Sequence, residues 1–222
     1  MAKNNNQNTV PEKNKGNFIL ENQKSLGFIL GGVVVLILLY FGYQRFYLAP
    51  RAEAAQDQMY KAENYALVDS LRQRAIDGDG AFPGFKEIAE EYDNTKSANI
   101  ANAYLGGLYL REGKFQEAIA SLEKYSNTGS QILDPLVIGM LGDAHSELKD
   151  YKKAASYYKK AADRTPNSFT TPLMLKKLGL VHEAQHEFKQ AIDAYKRIKA
   201  EYPESAEGAA VEGLIARAEA RL

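Results

Sequence analysis

Leu105-Gly106, Leu141-Gly142 and Leu178-Gly179 head three stretches of this chain that align position by position. The glycines are spaced by 36 and then 37 residues. Counted from each glycine, a polar or aromatic residue follows at +3 (Tyr109, His145, His182) and alanine at +12 (Ala118, Ala154, Ala191). An apolar or aromatic residue follows at +16 (Leu122, Tyr158, Tyr195), and the last two copies carry proline at +24 (Pro166, Pro203). Self-similarity at this period marks an array of helix pairs, one pair per copy. The glycine lets two antiparallel helices approach, and the alanine does the same from the second helix. Larger residues at +16 and +19 fill the gap to the next copy. Proline stops the second helix because it has no N–H for the i−4 carbonyl. The turn inside each pair is expected near Gly113, Lys149 and His186. One hairpin leaves a face unburied, so the copies must stack into a continuous core.

The flanks also read as helices. Residues 50–97 form a divergent leading pair. Pro50 suits a first helical position. Residues 51–76 read as one helix with Met59, Ala62, Ala66, Leu71 and Ala75 on one side. The glycine-rich stretch Asp77–Gly84 breaks it, and Phe85, Ile88, Ala89 and Tyr92 give helical spacing for a second helix. The repeats occupy 98–205. Residues 206–222 read as a capping helix with Val211, Leu214, Ile215 and Ala218 facing inward and a charged outer face.

Near the start, Leu26 to Tyr43 is an uncharged run of 18 residues. At about 1.5 Å per residue it covers roughly 27 Å, close to the hydrocarbon thickness of a bilayer. Tyr40, Phe41, Tyr43, Phe46 and Tyr47 gather at its far end, where amphipathic rings favour the headgroup level. Residues 25–47 are therefore expected to be a transmembrane anchor. It exceeds the apolar core of a cleaved signal, which runs to about 7–15 residues. The nearest small residue beyond it, Ala49, follows bulky Tyr47 and Leu48 and precedes Pro50, a poor cleavage site. Residues 1–24 are polar and expected to be disordered. Lys3, Lys13, Lys15 and Lys24 outnumber Arg45 and Arg51, which favours a cytoplasmic N-terminus with residues 51–222 on the far side. Gly27 and Gly31 form a GxxxG that would permit close helix packing in the membrane.

Composition removes several functions. Lys plus Arg and Asp plus Glu are both 28, so no bulk charge draws the chain to nucleic acid. Cysteine is absent, which excludes disulfides, thiolate catalysis and Cys-based zinc sites. With 14 Tyr and no Trp, aromatic packing rests on Tyr and Phe.

The aligned stretches resemble the tetratricopeptide repeat family over residues 98–205. That family's motif runs Leu-Gly-x-x-Tyr, then Gly, Ala, Phe, Ala and Pro at these offsets. The family's early Trp is missing from all three copies, and position +3 is His in two. The copies exceed the usual period of about 34, so the turns between them are expected to be extended. The resemblance implies an all-α fold: the transmembrane helix, then an α-solenoid of about three repeats with its leading pair and capping helix. It also implies a concave strip that holds proteins. Carrying the family's groove positions over gives Ile100, Ala103, Gly107, Leu110 and Arg111 from the first repeat. The second gives Leu136, Gly139, Asp143 and Glu147; the third gives Leu173, Lys176, Leu180 and Glu183. The strip mixes small, apolar and charged groups and would suit an amphipathic helix or an extended segment.

The layout as a whole is also similar to the YfgM-like ancillary subunits of the bacterial Sec translocon. The shared features are a short polar tail, one anchor, Gly84-Phe85…Ile88-Ala89…Tyr92…Thr95, a Tyr-x-Gly-x-x-Tyr-Leu stretch, and Gly142-Asp143. This resemblance implies the bacterial inner membrane, a periplasmic repeat domain, and translocon subunits, periplasmic chaperones or secreted proteins as partners. A scaffold for another envelope assembly is the alternative.

Two stretches hint at chemistry. His182-Glu183-Ala184-Gln185-His186 matches H-E-x-x-H, the signature of a zinc peptidase with two His on one helical face. Here the first His holds the repeat's +3 position and the second falls at the turn, so the helix is expected to end between them. His145 holds the same place without a partner His. Asp77-Gly78-Asp79-Gly80 lacks the third oxygen ligand and the glycine that a calcium loop requires. The expectation is therefore no catalysis, no metal or other cofactor, and no small-molecule substrate.

Overall fold

The computed structural model describes residues 22–222. The polar tail up to residue 21 lies outside them. The described chain divides into two compact units, one ending at Pro50 and one spanning Arg51–Leu222.

In the first unit, α1 spans Gln23–Tyr43 and buries no residue. It therefore begins within the stretch assigned to the polar tail. Its 21 residues reach about 31 Å, and it is long and apolar enough to cross a membrane. A π-helical turn, Gln44–Leu48, follows it. Pro50 does not open a helix as expected, because the chain is already helical ahead of it. Its ring would press on the carbonyl four residues back, at Phe46, and a wider π turn there relaxes that conflict.

The second unit takes in α2 (Ala49–Ala66) from Arg51 onward, a 3-10 turn (Asp69–Leu71), α3 (Arg72–Asp77) and α4 (Phe85–Glu91). The single helix expected over 51–76 is broken at Leu67 and Val68, both exposed, with Val68 extended. The reason is burial. Met59 and Ala75 belong to one core cluster with Phe85 and Ile88. A straight helix would hold them about 24 Å apart.

The repeats follow as three hairpins: α5 (Lys96–Arg111) with α6 (Phe115–Lys124), α7 (Leu133–Glu147) with α8 (Tyr151–Arg164), and α9 (Thr170–Ala184) with α10 (Phe188–Glu201). Each first helix also touches the next first helix, and α11 (Ala206–Glu219) extends that row by packing on α10 and α9. The glycines act as the spacing predicts. A Cβ on Gly106, Gly142 or Gly179 would overlap the side chain of Leu122, Tyr158 or Tyr195 respectively.

The turns inside the hairpins share one construction. Gly113, Lys149 and His186 all have left-handed φ, at 72°, 60° and 60°. Lys114, Asp150 and Glu187 then donate their backbone N–H to the carbonyls of Tyr109, His145 and His182, each at 2.9 Å. This is the six-to-one bond of a Schellman motif, and it satisfies carbonyls that the helix end would leave open. Only one of the three is glycine, so the motif holds two non-glycine residues in a region they visit at some cost.

The links between hairpins are extended where the repeat period exceeds the family's. The segment from 125 to 132 closes on Asp134, which is 2% exposed. Its carboxylate accepts from the Tyr125 hydroxyl (2.7 Å), the Thr128 N–H and hydroxyl (3.0 Å each) and the Gly129 N–H (3.0 Å). Burial pushes Asp134 up, but these donors outweigh it and leave its pKa below the ordinary carboxylate value. The Tyr125 hydroxyl is pushed up to about 12, chiefly by burial.

The capping helix has the two faces expected of it. Val211, Ile215 and Ala218 are buried as predicted, and Glu212 and Glu219 reach back to Lys199 (2.6 Å) and Lys196 (3.9 Å) on α10. Both glutamates stay exposed, as does Arg217, so the outer face carries charge among Ala209, Ala210, Gly213 and Ala216.

Candidate protein-interaction surface

The expected strip would run along α5, α7 and α9. The structure distributes the thirteen predicted residues unevenly along it. Leu110, Arg111, Asp143 and Glu147 line one hollow of about 600 Å³ together with Lys177 and Tyr158. Gly107 lies beside Met140, whose Sδ would be 3.5 Å from an added Cβ. Leu136 and Leu173 are half-buried against the largest core cluster. Lys176 is half-buried and Leu180 is 40% exposed. Ile100 lines a separate hollow beside α4.

Ala103, Gly139 and Glu183 are buried and present little surface. Ala103 packs with Leu122, Val137 and Leu141. A Cβ on Gly139 would overlap Met174 of α9. Glu183 accepts from the Tyr195 hydroxyl (2.7 Å) and from Arg217 of α11 (2.7 and 3.1 Å). The family's groove positions assume ideal helix faces; here the first helices pack closely enough to hide these three.

Glu183 belongs to a recurring device that the sequence reading missed. Asp143 accepts from the Tyr158 hydroxyl (2.7 Å) and, through both oxygens, from Lys177 (2.7 Å each). Asp163 pairs with Arg197 at 2.8 Å. In all three cases the acid and its cation are 34 residues apart. The spacing is two to three residues short of the Leu-Gly period of this chain, so the period alone does not point to these pairs. In two of them the +16 tyrosine also donates. Its ring fills the slot beside the glycine while its hydroxyl fixes the acid. Burial first, and the neighbouring carboxylate second, push both tyrosine hydroxyls well above their ordinary pKa.

The histidines have structural partners. α9 ends at Ala184, and His186 stands beyond it at positive φ, so the two histidines of H-E-x-x-H do not share a helical face. His182 Nδ1 lies 2.6 Å from Glu187, just past the turn. His145 Nδ1 lies 3.7 Å from Asp150, at the corresponding place, and burial pulls its pKa down. The glutamate between the paired histidines is held by Arg217 and Tyr195. The Asp79 carboxylate of the glycine-rich loop is likewise occupied. It accepts from the Tyr65 hydroxyl (2.5 Å) and the Ala81 and Phe82 N–H groups (2.9 and 2.8 Å), which makes it a turn-former.

On α1, Gly27 and Gly31 have open space where a Cβ would project.

The helix pairs and their row of first helices define an α-helical repeat array. A tetratricopeptide repeat family model matches residues 140–206, from within α7 to the start of α11. Comparison with the curated proteins finds no match.

Proposed function

We propose that this chain is a membrane-anchored scaffold or chaperone-like adaptor that holds other proteins on the concave strip of its repeats. The hollow at Leu110, Arg111, Asp143 and Glu147 carries the reading. Its deeper charges are neutralised, Asp143 by Lys177 and Tyr158. Arg111 and Glu147 at its rim are exposed and take part in no ion pair among the described residues. A rigid, internally satisfied floor with free charges of both signs at the rim selects partners by charge pattern. Gly27 and Gly31 would let α1 pack closely against another membrane helix.

The similarity to the YfgM-like family supports the rest of the proposal. The repeats face the periplasm of a bacterial inner membrane, and the anchor sits beside the Sec translocon. Secreted or envelope proteins and periplasmic chaperones are the partners held. In vivo crosslinking of the full chain is expected to recover translocon subunits, and replacing α1 by an unrelated anchor should abolish that recovery. Recovery of division, secretion or outer-membrane assembly proteins instead would assign the scaffold to another envelope assembly. A reporter fused after Leu222 that is active only in the periplasm tests the orientation. Arg111→Glu should diminish client capture without affecting translocon recovery.

A further inference from the structure

A second hollow, of about 1010 Å³, lies off the concave hollow, over the first turns of α5. The end of α4 borders it on one side, and Lys124 with residues 126–128 on the other. Two observations make it more than a dent between helices.

The first is Asn102, which lines the hollow and is only 8% exposed. Its Nδ2 donates to the Ala98 carbonyl at 3.0 Å, within its own helix. Its Oδ1 accepts no hydrogen bond from any described residue. Its buried neighbours on α5 are Ala98, Ala101, Ala103 and Leu105. The Oδ1 is not sealed off from solvent, so a donor entering the hollow can reach an acceptor that the protein leaves open.

The second is Asn99, three residues earlier on the helix. Its Nδ2 donates to the Ser126 carbonyl, and its Oδ1 accepts from the Ser126 N–H, both at 2.7 Å. This part of α5 already grips one non-helical strand of the chain by its peptide groups, using a side-chain amide. Asn102 presents the same chemistry, with its acceptor open, on the same side of the helix.

The charges at the edge are divided. Glu90 stands on the α4 side, while Lys96 and Lys124 stand on α5 and at the end of α6. All three are exposed and without an ion pair among the described residues. Between them, Ala89 and Ala98 contribute small apolar surface.

We infer that this hollow binds an extended segment of another polypeptide, gripped through its backbone by Asn102. A backbone N–H of the segment donates to Asn102 Oδ1. A small side chain rests on Ala89 and Ala98, a basic side chain meets Glu90, and an acidic one meets Lys96 and Lys124. The site is distinct from the strip of the proposed function, with which it shares only Ile100. Either can fail without the other.

The test uses the full chain in detergent micelles and fluorescein-labelled, capped heptapeptides of Ala and Gly. Each carries one Lys and one Glu, three or four residues apart, in both orders. Fluorescence polarisation reads affinity, and the side-chain amide resonance of Asn102, identified by its loss in Asn102→Ala, reads the site. At least one peptide is expected to bind and to shift that resonance. Its affinity should fall about tenfold in Asn102→Ala, an exchange to a better helix former, and comparably in the exposed variant Lys124→Glu. Replacing both peptide charges by Gln should weaken binding too, whereas Arg111→Glu should not. No polarisation change with any peptide, or equal binding by wild type and both variants, would overturn the inference and assign the Asn102 carbonyl to water.

Discussion

The first hairpin and the two that follow it solve one packing problem in different ways. In α7–α8 and α9–α10 the slot beside the helix glycine is filled by Tyr158 and Tyr195. Each ring brings a hydroxyl that holds an acid, and that acid holds a cation on the next helix of the row, α9 or the capping α11. In α5–α6 the slot is filled by Leu122, which has no hydroxyl, and Gly107 stands where the second hairpin has Asp143. There the link to the next hairpin is the extended segment closed on Asp134 and the Asn99–Ser126 pair. The cores differ accordingly. Leu122 sits in a cluster with three other buried residues, whereas Tyr158 and Tyr195 share the largest cluster. A tyrosine in the slot couples burial to polar attachment of the next repeat; a leucine supplies burial alone. The family model match begins within the first tyrosine-bearing pair and leaves α5–α6 outside.

The severest way to break this contrast is to empty the slots. Tyr195→Ala removes a side chain that is 0% exposed and takes one of Glu183's donors away. It should cost about 3–5 kcal/mol, and Leu122→Ala, losing burial only, about 2–4 kcal/mol. Urea unfolding followed by circular dichroism checks both. An equal or larger loss for Leu122→Ala would erase the distinction.

A milder change isolates the hydroxyl. Tyr195→Phe keeps the ring and leaves Glu183 to Arg217 alone, at an expected cost of about 1.5–2 kcal/mol. Tyr158→Phe should cost less, because Asp143 is more exposed and keeps both of its contacts to Lys177. Native-state hydrogen exchange should follow the same order, with amides of α5–α6 opening at lower free energy than those of α9–α10.

Acid should weaken the tyrosine-bearing pairs. Burial raises the pKa of Glu183, but the hydrogen bonds from Arg217 and Tyr195 outweigh it and hold the folded value below the ordinary 4.5. Hydrogen bonds from Lys159 and Arg197 similarly lower Asp163 from 3.8. A depressed folded pKa means that the charged form favours folding. That contribution is complete above the unfolded pKa and disappears as the pH falls through the folded one. Stability should therefore decline as the pH drops below about 4.5, and Glu183→Gln should flatten the decline. An unchanged slope in melting experiments would show that the tie contributes nothing.

The smallest effect is expected at Gly107. An added Cβ would meet Met140 Sδ at 3.5 Å, an ordinary contact, so Gly107→Ala should be neutral or stabilising by up to about 1 kcal/mol. Gly179→Ala, against the Tyr195 ring, should destabilise by about 1–3 kcal/mol. Thermal melts of the two variants test whether slot glycines and surface-strip glycines differ as described.

What could be read from residues alone was whatever depends on spacing along the chain. The uncharged run gave α1, the Leu-Gly period gave three hairpins, and the +7 positions gave their turns even where Lys149 and His186 replace glycine. Helical periodicity and chain length are local properties, and they survive without knowledge of neighbours. The break at Leu67 was not legible, because only the shared burial of Met59 and Ala75 requires it. For the expected strip, spacing along the chain gave less. The sequence identified its helices, but closeness between them decided that Ala103, Gly139 and Glu183 are buried. It also decided that Lys177, next to the expected Lys176, holds Asp143. The H-E-x-x-H stretch shows the limit most sharply. Its residues are adjacent in sequence, yet their partners are Glu187, Tyr195 and Arg217. Only the packing of α9 against α10 and α11 brings Tyr195 and Arg217 within hydrogen-bonding distance.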